Sequence, residues 1–227
     1  LPKTYRAVMR LDGRTVTDDN TSELIEQSER WQQLTRDDIN AALRSQIGEI
    51  MQLPPQYSAK KVAGERAYDI ARRGDVATLV PAQITIYDIS LLRADLPEVE
   101  FEVECSSGTY IRSIARDVGA LLGTGGYLTR LRRTQIGRHD VEKAVPSDEL
   151  VNREKVRAAQ LTPVQALSHL PAMELTEAQE RAVRFGQSIE AHGRSKETLM
   201  LVRNQALVAI AEIEGTRLRP RKVFGDA

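Results

Sequence analysis

Basic side chains that alternate with tyrosines are the feature of this 227-residue sequence with the clearest chemical potential. Residues 105–138 contain six arginines and one acidic residue, whereas residues 92–104 contain five acidic residues and one arginine. A guanidinium group matches phosphate oxygens with paired hydrogen bonds and also stacks on bases. The whole chain has 32 basic and 32 acidic side chains, so the segregation of charge, and not the net charge, predicts a polyanionic partner. For any single lysine pair, taken alone, a solvated face is the favoured interpretation.

Other kinds of chemistry find little support in the sequence. The single cysteine, Cys105, cannot form an internal disulfide, and His139, His169 and His192 are too scattered for zinc-ligand spacing. The glycine-rich run at residues 123–126 is not followed by the residues of a phosphate-binding loop. We therefore expect neither a metal nor a cofactor, and we expect Cys105 to be a buried core thiol.

The composition, with 41% hydrophobic and 28% charged residues, is typical of one or two globular domains. No apolar run approaches the roughly 20 residues that a membrane-spanning helix needs. The first residues also lack the charged and then apolar pattern of a secretory signal. We therefore expect a cytoplasmic protein that does not associate with membranes.

Hydrophobic periodicity predicts the elements that position these residues. We expect strands over residues 4–11, 84–92 and 98–105, and helices over residues 36–47, 65–73 and 111–122. Tyr5 falls on the apolar side of the first strand, while Tyr110 and Arg112 fall in the first turn of the last helix. A capped helix over residues 176–185 and three more strands follow near the C-terminus. The predicted fold is α+β, with a mixed, mostly antiparallel sheet and flanking helices, followed by a small β-rich domain.

Four segments, taken in their order and spacing, resemble the TruB family of bacterial tRNA pseudouridine synthases, which modify the T-loop uridine at tRNA position 55. They are Lys3-Thr4-Tyr5-Arg6-Ala7, the run Pro54-Pro55-Gln56-Tyr57-Ser58-Ala59-Lys60-Lys61 with Gly64, Tyr68, Ala71 and Arg72, the run Cys105-Ser106-Ser107-Gly108-Thr109-Tyr110-Ile111-Arg112, and Leu131-Arg132-Arg133. The C-terminal residues 186–187 and 218–224 are similar to the PUA domain that ends such enzymes. The resemblance implies a catalytic domain over residues 1–158 and a PUA-like RNA-binding domain over residues 159–227.

The resemblance also implies roles for individual residues in an isomerase that flips a base out of its stack. Tyr5 matches the stacking tyrosine, Tyr110 a second active-site tyrosine, and Arg112 the arginine that pairs with the catalytic aspartate. Leu131 matches a leucine that lines the pocket. From the residues alone, Tyr5 and Leu131 could be ordinary core residues, and Arg112 could be an exposed helix arginine.

The RNA contacts implied by the resemblance lie mainly in an arm that follows the two prolines. The implied RNA-binding residues are Lys3, Lys60, Lys61, Arg66, Tyr68, Arg72, Arg73, Arg132 and Arg133. The implied partner is the T-loop and stem of tRNA, with no protein partner. No cofactor is implied, because the rearrangement of uridine to pseudouridine is redox-neutral.

One departure from the family limits the expected activity. The family's nucleophile is an aspartate in a Gly-x-Leu-Asp-Pro-x-Ala-x-Gly loop upstream of the lysine-x-tyrosine motif, and the chain starts at that motif. None of Asp18, Asp19 and Asp117 matches the aspartate of that loop. We therefore expect a synthase that lacks its N-terminal segment and is inactive as these 227 residues alone. Two alternatives stay open: a non-catalytic tRNA-binding or RNA-folding protein, and a small-molecule enzyme on an unrelated α+β scaffold.

Overall fold

The computed structural model describes residues 1–62, 64–190 and 196–225, which form two compact units, Leu1–Glu142 and Lys143–Ala227. The predicted α+β fold, with a largely antiparallel sheet, flanking helices and a smaller β-rich part after it, is confirmed. The two compact units meet at Glu142 and Lys143. The domain boundary that the resemblance implies, after residue 158, stays a prediction. Within the described ranges, no helix is both long enough and apolar enough to cross a membrane.

The described residues of the first unit form ten strands and three α-helices. The strands are β1 (Lys3–Arg10), β2 (Gly13–Thr15), β3 (Leu24–Gln27), β4 (Gly48–Gln52), β5 (Lys61–Val62), β6 (Glu65–Arg66), β7 (Ala82–Asp95), β8 (Glu98–Cys105), β9 (Tyr127–Ile136) and β10 (His139–Asp140). The helices are α1 (Arg36–Arg44), α2 (Ala67–Arg72) and α3 (Ile111–Leu122).

A six-stranded antiparallel sheet, in the order β10-β9-β1-β8-β7-β4, is the frame of this unit. Its central strand β1 pairs Tyr5 with Val103 of β8 and with Arg133 of β9. Strand β8 alternates as predicted: Val99, Phe101, Val103 and Cys105 are fully buried, and the intervening glutamates lie on the other face. Cys105 is therefore a core residue, and burial raises the pKa of its thiol.

Helices α1 and α3 cover the apolar face of the sheet. Helix α1 begins at a capping box between Thr35 and Asp38, and α3 ends at Gly123, whose φ of 68° is the left-handed conformation that glycine adopts freely. Helix α1 contacts β7, α3 contacts β9 and β1, and the two helices contact each other. The core between them is fully buried; its largest side chains are Phe101, Met9, Leu11, Ile39, Leu43, Ile86, Ile89 and Ile114.

The structure corrects two of the predicted elements. The helix predicted over residues 36–47 ends at Arg44, and the chain turns at residues 45–47 into strand β4. The helix predicted over residues 65–73 begins only at Ala67, because Glu65 and Arg66 pair with Lys61 and Val62 as a short hairpin. In both places backbone pairing with a neighbouring segment overrides a local helical spacing.

The second unit is built on a five-stranded sheet in the order β11-β13-β14-β15-β12. The strands are β11 (Ala172–Glu174), β12 (Ile189–Glu190), β13 (Thr198–Arg203), β14 (Ala206–Glu214) and β15 (Arg217–Val223), and the helices are α4 (Arg153–Ala159), α5 (Pro163–Ala166) and α6 (Glu177–Arg184). Strands β11 and β13 are parallel and the other pairs are antiparallel, so the fold as a whole is mixed. Leu175, Val183, Leu201 and Ile213 are among the fully buried residues of its core.

Candidate active site

Tyr110 directly precedes helix α3 and has an extended backbone, with φ of −99° and ψ of 110°. The backbone N–H of Tyr110 donates to Gln52 Oε1 at 2.8 Å, and Gln52 Nε2 donates to the Tyr110 carbonyl at 3.1 Å. Just before it, the Thr109 hydroxyl donates to the Ser106 carbonyl at 3.0 Å and shapes the turn from β8. These bonds determine where the first turn of α3, and Arg112 within it, starts.

Arg112 lies at the meeting point of three segments. Its Nη1 donates to Asp19 Oδ2 at 2.9 Å and to the Thr17 carbonyl at 3.0 Å, and its Nη2 donates to the Tyr57 carbonyl at 2.9 Å. The Arg112 side chain is only 24% exposed. Arg112 is therefore not an exposed helix arginine, because three fixed acceptors hold its guanidinium group in one orientation.

Asp19 is held as a carboxylate by its own loop. The Thr17 hydroxyl donates to Asp19 Oδ1 at 2.6 Å, the Thr21 backbone N–H donates to the same atom at 3.0 Å, and the Thr21 hydroxyl is a further donor. Burial raises the pKa of Asp19, but these hydrogen bonds and the charge of Arg112 outweigh burial and hold the pKa below its ordinary value. Asp19 therefore stays ionised opposite Arg112 at neutral pH.

A second ion pair joins the same loop to α3 one turn further along the helix. Arg116 Nη1 lies 3.2 Å from Asp18 Oδ2, and Arg116 Nη2 donates to the Leu53 carbonyl at 2.8 Å. Burial is the main influence on Asp18 and raises its pKa, although the charge of Arg116 opposes that shift. The two adjacent aspartates thus have opposite pKa shifts, and of the two only Asp19 reaches Arg112.

The ion pair of Arg112 and Asp19 lines a cavity of about 250 Å³. Its remaining lining residues are Asn20, Thr21, Leu128, Thr129, Arg130 and Leu131. Leu131 is 49% exposed, so it is a wall of the cavity and not a core residue. Ligand pockets for drug-sized molecules measure roughly 300–1,000 Å³, so a cavity of this size suits a smaller group.

The sheet places Tyr5 beside this cavity wall. Leu131 of β9 is opposite Ala7 of β1, and Arg133 is opposite Tyr5. Because alternate residues share a face, Tyr5, Ala7, Leu131 and Arg133 all lie on one side of the sheet. The structure thus brings Arg112 and Leu131 into one cavity, with Tyr5 on the same sheet face as Leu131 and Tyr110 two residues before Arg112. The roles that the resemblance gives these residues stay predictions.

The arm that follows the two prolines, residues 56–77, is mostly exposed and carries five basic and three acidic side chains. Gln56 closes its base, because its side-chain amide donates to the Ala77 carbonyl and accepts from the Ala77 N–H, both at 3.1 Å. The rings of Tyr57 and Tyr68 meet edge to face at 6.0 Å, and the Arg72 guanidinium lies 5.6 Å from the centre of the Tyr68 ring. The predicted RNA-binding residues of the arm are all exposed; they are Lys60, Lys61, Arg66, Tyr68, Arg72 and Arg73.

The remaining predicted RNA-binding residues lie outside the arm. Lys3 Nζ donates to the Ser107 hydroxyl at 2.7 Å, next to the turn that leads to Tyr110. Arg133 shares the sheet face of Leu131, but Arg132 lies on the opposite face, where its Nη2 is 3.1 Å from Glu142. Arg73 of the arm also forms an ion pair, with Glu65. Because a carboxylate partly neutralises Arg132 and Arg73, each attracts a phosphate less strongly than Lys60 or Lys61.

Sequence reasoning missed two residues of this site, Asp19 and Gln52. The only local signal for Asp19 was its position among hydroxyl residues that can hydrogen-bond to it, at 17, 21 and 22. Gln52 carried no local signal, since a glutamine before two prolines is not distinctive. Among the residues that the structure describes, which exclude His192, no cluster of three or more His, Cys, Asp or Glu could hold a metal.

Comparisons with known proteins agree on one family. Residues 1–111 match the model for the N-terminal domain of TruB family pseudouridylate synthases, and residues 112–169 match the model for the tRNA pseudouridylate synthase B C-terminal domain. The chain is 37% identical to the tRNA pseudouridine synthase B of Rhodopseudomonas palustris, covering 98% of this chain and 64% of that protein. It is also 37% identical to the protein of that name from Thermobifida fusca, covering 99% and 78%.

Two solved structures share the fold along almost the whole chain. A chain of a Cbf5-Nop10-Gar1 complex superposes with a TM-score of 0.72 at 24% identity, covering 99% of this chain and 67% of that one. A chain of an H/ACA RNP bound to a substrate RNA containing 2'-deoxyuridine gives the same TM-score at 21% identity, covering 99% and 66%. The shared fold includes the C-terminal β-rich unit, and the sequence identities to the bacterial relatives decide the family. The chain belongs to the TruB family of pseudouridylate synthases.

Proposed function

We propose that this chain forms the RNA-binding surface and the base pocket of an enzyme that converts the T-loop uridine at tRNA position 55 into pseudouridine. The observation that carries the proposal is the guanidinium of Arg112, held by three acceptors at the edge of a cavity of about 250 Å³. The names of the relatives support the reaction and the tRNA substrate. The chain spans 64% of one relative and 78% of the other, so the activity of the whole protein remains a proposal.

The reaction exchanges one bond of the uridine for another. The bond from C1′ to N1 breaks, the base turns, and C1′ bonds to C5, after which the C5 proton leaves to solvent and N1 regains a proton. A flipped base must be held while it rotates, which suits an aromatic face such as Tyr5 and an apolar wall such as Leu131. A carboxylate is needed as nucleophile or base, and Arg112 would keep that carboxylate ionised and oriented.

We propose that Asp19 orients Arg112 and is not the nucleophile. Its Oδ1 accepts hydrogen bonds from Thr17 and Thr21, and its Oδ2 faces Arg112, so its lone pairs are already engaged. The resemblance assigns the nucleophile to a Gly-x-Leu-Asp-Pro-x-Ala-x-Gly motif, which residues 1–227 do not contain. Turnover would then require a polypeptide that carries this motif, and residues 1–227 alone would bind tRNA without changing it.

Release of tritium from tRNA labelled at C5 of uracil tests the proposal directly, because pseudouridine formation expels that hydrogen. We expect release by a polypeptide that carries the aspartate motif together with residues 1–227, and none by residues 1–227 alone. Arg112→Ala in the longer polypeptide should abolish release while changing tRNA affinity by less than about threefold, since the arm carries most phosphate contacts. Tight, salt-sensitive tRNA binding without release by the longer polypeptide would instead support the non-catalytic RNA-binding protein.

A further inference from the structure

Two glutamines four residues apart each form two side-chain hydrogen bonds to the backbone of one distant residue. Gln52 bonds to both the N–H and the carbonyl of Tyr110, at 2.8 and 3.1 Å. Gln56 does the same to Ala77, with both bonds at 3.1 Å. A side-chain amide that uses its donor and its acceptor on one residue acts like a neighbouring strand and fixes that residue's backbone orientation.

The Gln52 contact lies at the start of the helix that carries the pocket residue Arg112. Gln52 is the last residue of β4 and is only 2% exposed, so water cannot replace its two hydrogen bonds. Tyr110 precedes the first helical residue of α3, and its own side chain provides no cap for that helix. The direction of the Tyr110 side chain and the start of the turn that holds Arg112 therefore depend on Gln52.

The residues after Gln52 continue the same attachment across α3. The Leu53 carbonyl accepts from the Ser113 hydroxyl at 2.9 Å and from Arg116 Nη2 at 2.8 Å. Pro54 and Pro55 are buried, and their rings fix the φ angles of these two residues. The Tyr57 carbonyl then accepts from Arg112 Nη2 at 2.9 Å. Residues 52–57 thus form a strap that contacts α3 at its first residues and again at the guanidinium group.

We propose that Gln52 is a positioning residue for the isomerase reaction, which sets the direction of the Tyr110 side chain and the place of the pocket residue Arg112 through its two hydrogen bonds to the Tyr110 backbone. The inference rests on the proposed function, and it adds a residue whose side chain is buried and bonded to the protein backbone. Gln56, by contrast, holds only the base of the arm. The two glutamines therefore act on different steps: Gln52 on turnover and Gln56 on tRNA affinity.

Replacement by methionine separates these roles, because methionine keeps the length of glutamine but loses the amide donor and acceptor. For Gln52→Met in the tritium-releasing polypeptide, we expect kcat to fall about 10- to 100-fold, since a misplacement of about 1 Å can cost that much. The dissociation constant for tRNA should stay within about threefold. Gln56→Met should weaken tRNA binding more than it slows turnover at saturating tRNA.

Gln83→Met is the matched control. Gln83 lies on β7, opposite Met51 of β4, and its exposed amide donates to Glu49 Oε2 at 2.8 Å. This variant removes a glutamine hydrogen bond from the same pair of strands without touching α3, so kcat should match the wild type. A loss as large as that of Gln52→Met would mean that any weakening of this sheet edge slows the reaction, and would overturn the assignment.

Gln52→Asn covers the case in which Gln52→Met does not fold. Asparagine keeps the amide but is one methylene shorter, so it cannot form both hydrogen bonds to the Tyr110 backbone at once, and we expect a folded protein with a reduced kcat. A folded Gln52 variant with kcat within threefold of wild type overturns the role of Gln52 alone. Absence of release by the wild-type polypeptide overturns the proposed function and the reaction role of Gln52 together, so the two failures are distinguishable.

Discussion

Replacing Asp19 by asparagine removes the charge opposite Arg112 with almost no change in shape. The amide oxygen of Asn can still accept from Thr17 and Thr21, but its NH₂ group would face Arg112 Nη1, where the carboxylate oxygen lies at 2.9 Å. A hydrogen bond to a charged group contributes about 1.5–3 kcal/mol, and an exposed ion pair about 0.2–1 kcal/mol. Because these side chains are 24% and 19% exposed, we expect a loss of roughly 1–2 kcal/mol.

That loss has two measurable consequences at pH 7. For a protein of 150–250 residues, 1 kcal/mol lowers Tm by about 2–4 °C, so Asp19→Asn should melt about 2–8 °C below wild type. If the same energy is lost in the transition state, kcat for tritium release falls about 5- to 30-fold. Thermal unfolding followed by circular dichroism and the tritium assay measure the two effects separately.

The pH dependence gives the sign of the electrostatic effect. The pKa of Asp19 is lower in the folded protein than the value of about 3.9 expected when unfolded. Its contribution to stability is therefore present above pH 4 and is lost as the pH falls through the folded pKa. The difference in Tm between wild type and Asp19→Asn should shrink below pH 4.

The neighbouring residue provides the control for this prediction. Burial raises the pKa of Asp18, so its ionised form is disfavoured in the folded protein and its effect on stability has the opposite sign. Its φ of 58° is also a conformation that asparagine tolerates well. Asp18→Asn should leave Tm at pH 7 unchanged or slightly raised. Equal losses of Tm for the two variants would refute the reasoning from these opposite shifts.

Three further predictions concern the arm, the pocket wall and the helix. Lys61→Ala should weaken tRNA binding similarly at all tRNA sequences and reduce the slope of log affinity against log salt by about 1, measured by filter binding; an unchanged slope would remove Lys61 from the phosphate contacts. Leu131→Ala should slow tritium release at saturating tRNA but lower stability by less than about 1 kcal/mol, because Leu131 is 49% exposed; a large drop in Tm would make it a core residue instead. Gly119→Ala should lower the free energy of unfolding by more than about 2 kcal/mol, because the added Cβ would overlap the backbone of Gly125 and Gly126. As a control, Ala120→Ser on the exposed side of the same helix should change the free energy of unfolding by less than about 0.5 kcal/mol.

Elements with strong local patterns could be predicted from the sequence almost to the residue. Helix α3 spans Ile111–Leu122 as expected, because its apolar spacing and the glycine at its end are local signals. Strand β8 spans Glu98–Cys105 as expected, because its glutamates and apolar residues alternate strictly. The resemblance to the TruB family, which depends on short motifs in a set order, was confirmed by the bacterial relatives.

Strands β4 and β9 could not be predicted, and the reason is physical. Ile47 continues the helical spacing of Ile39 and Leu43, so the local pattern favours a longer helix. Residues 48–52 instead form backbone hydrogen bonds with β7, which stabilise them more than an extension of the helix would. In strand β9, Arg130, Arg132 and Arg133 interrupt the alternation of apolar and polar residues that would predict a strand. The strand forms because its backbone hydrogen-bonds to the edge of β1 that does not pair with β8. Propensity is a weak prior when backbone pairing of a whole strand is the alternative.

The sequence by itself determined which side chains this protein has for the proposed contacts with RNA and with a flipped base, and the local elements on which most of them lie. Only the tertiary structure decided what Arg112 touches, because its partners Asp19 and Tyr57 are 93 and 55 residues away along the chain. It also decided that Gln52 holds the start of α3 from a strand 58 residues earlier. Local periodicity reports which face of an element is buried, whereas contacts between distant side chains depend on strand register and on how the helices lie across the sheet.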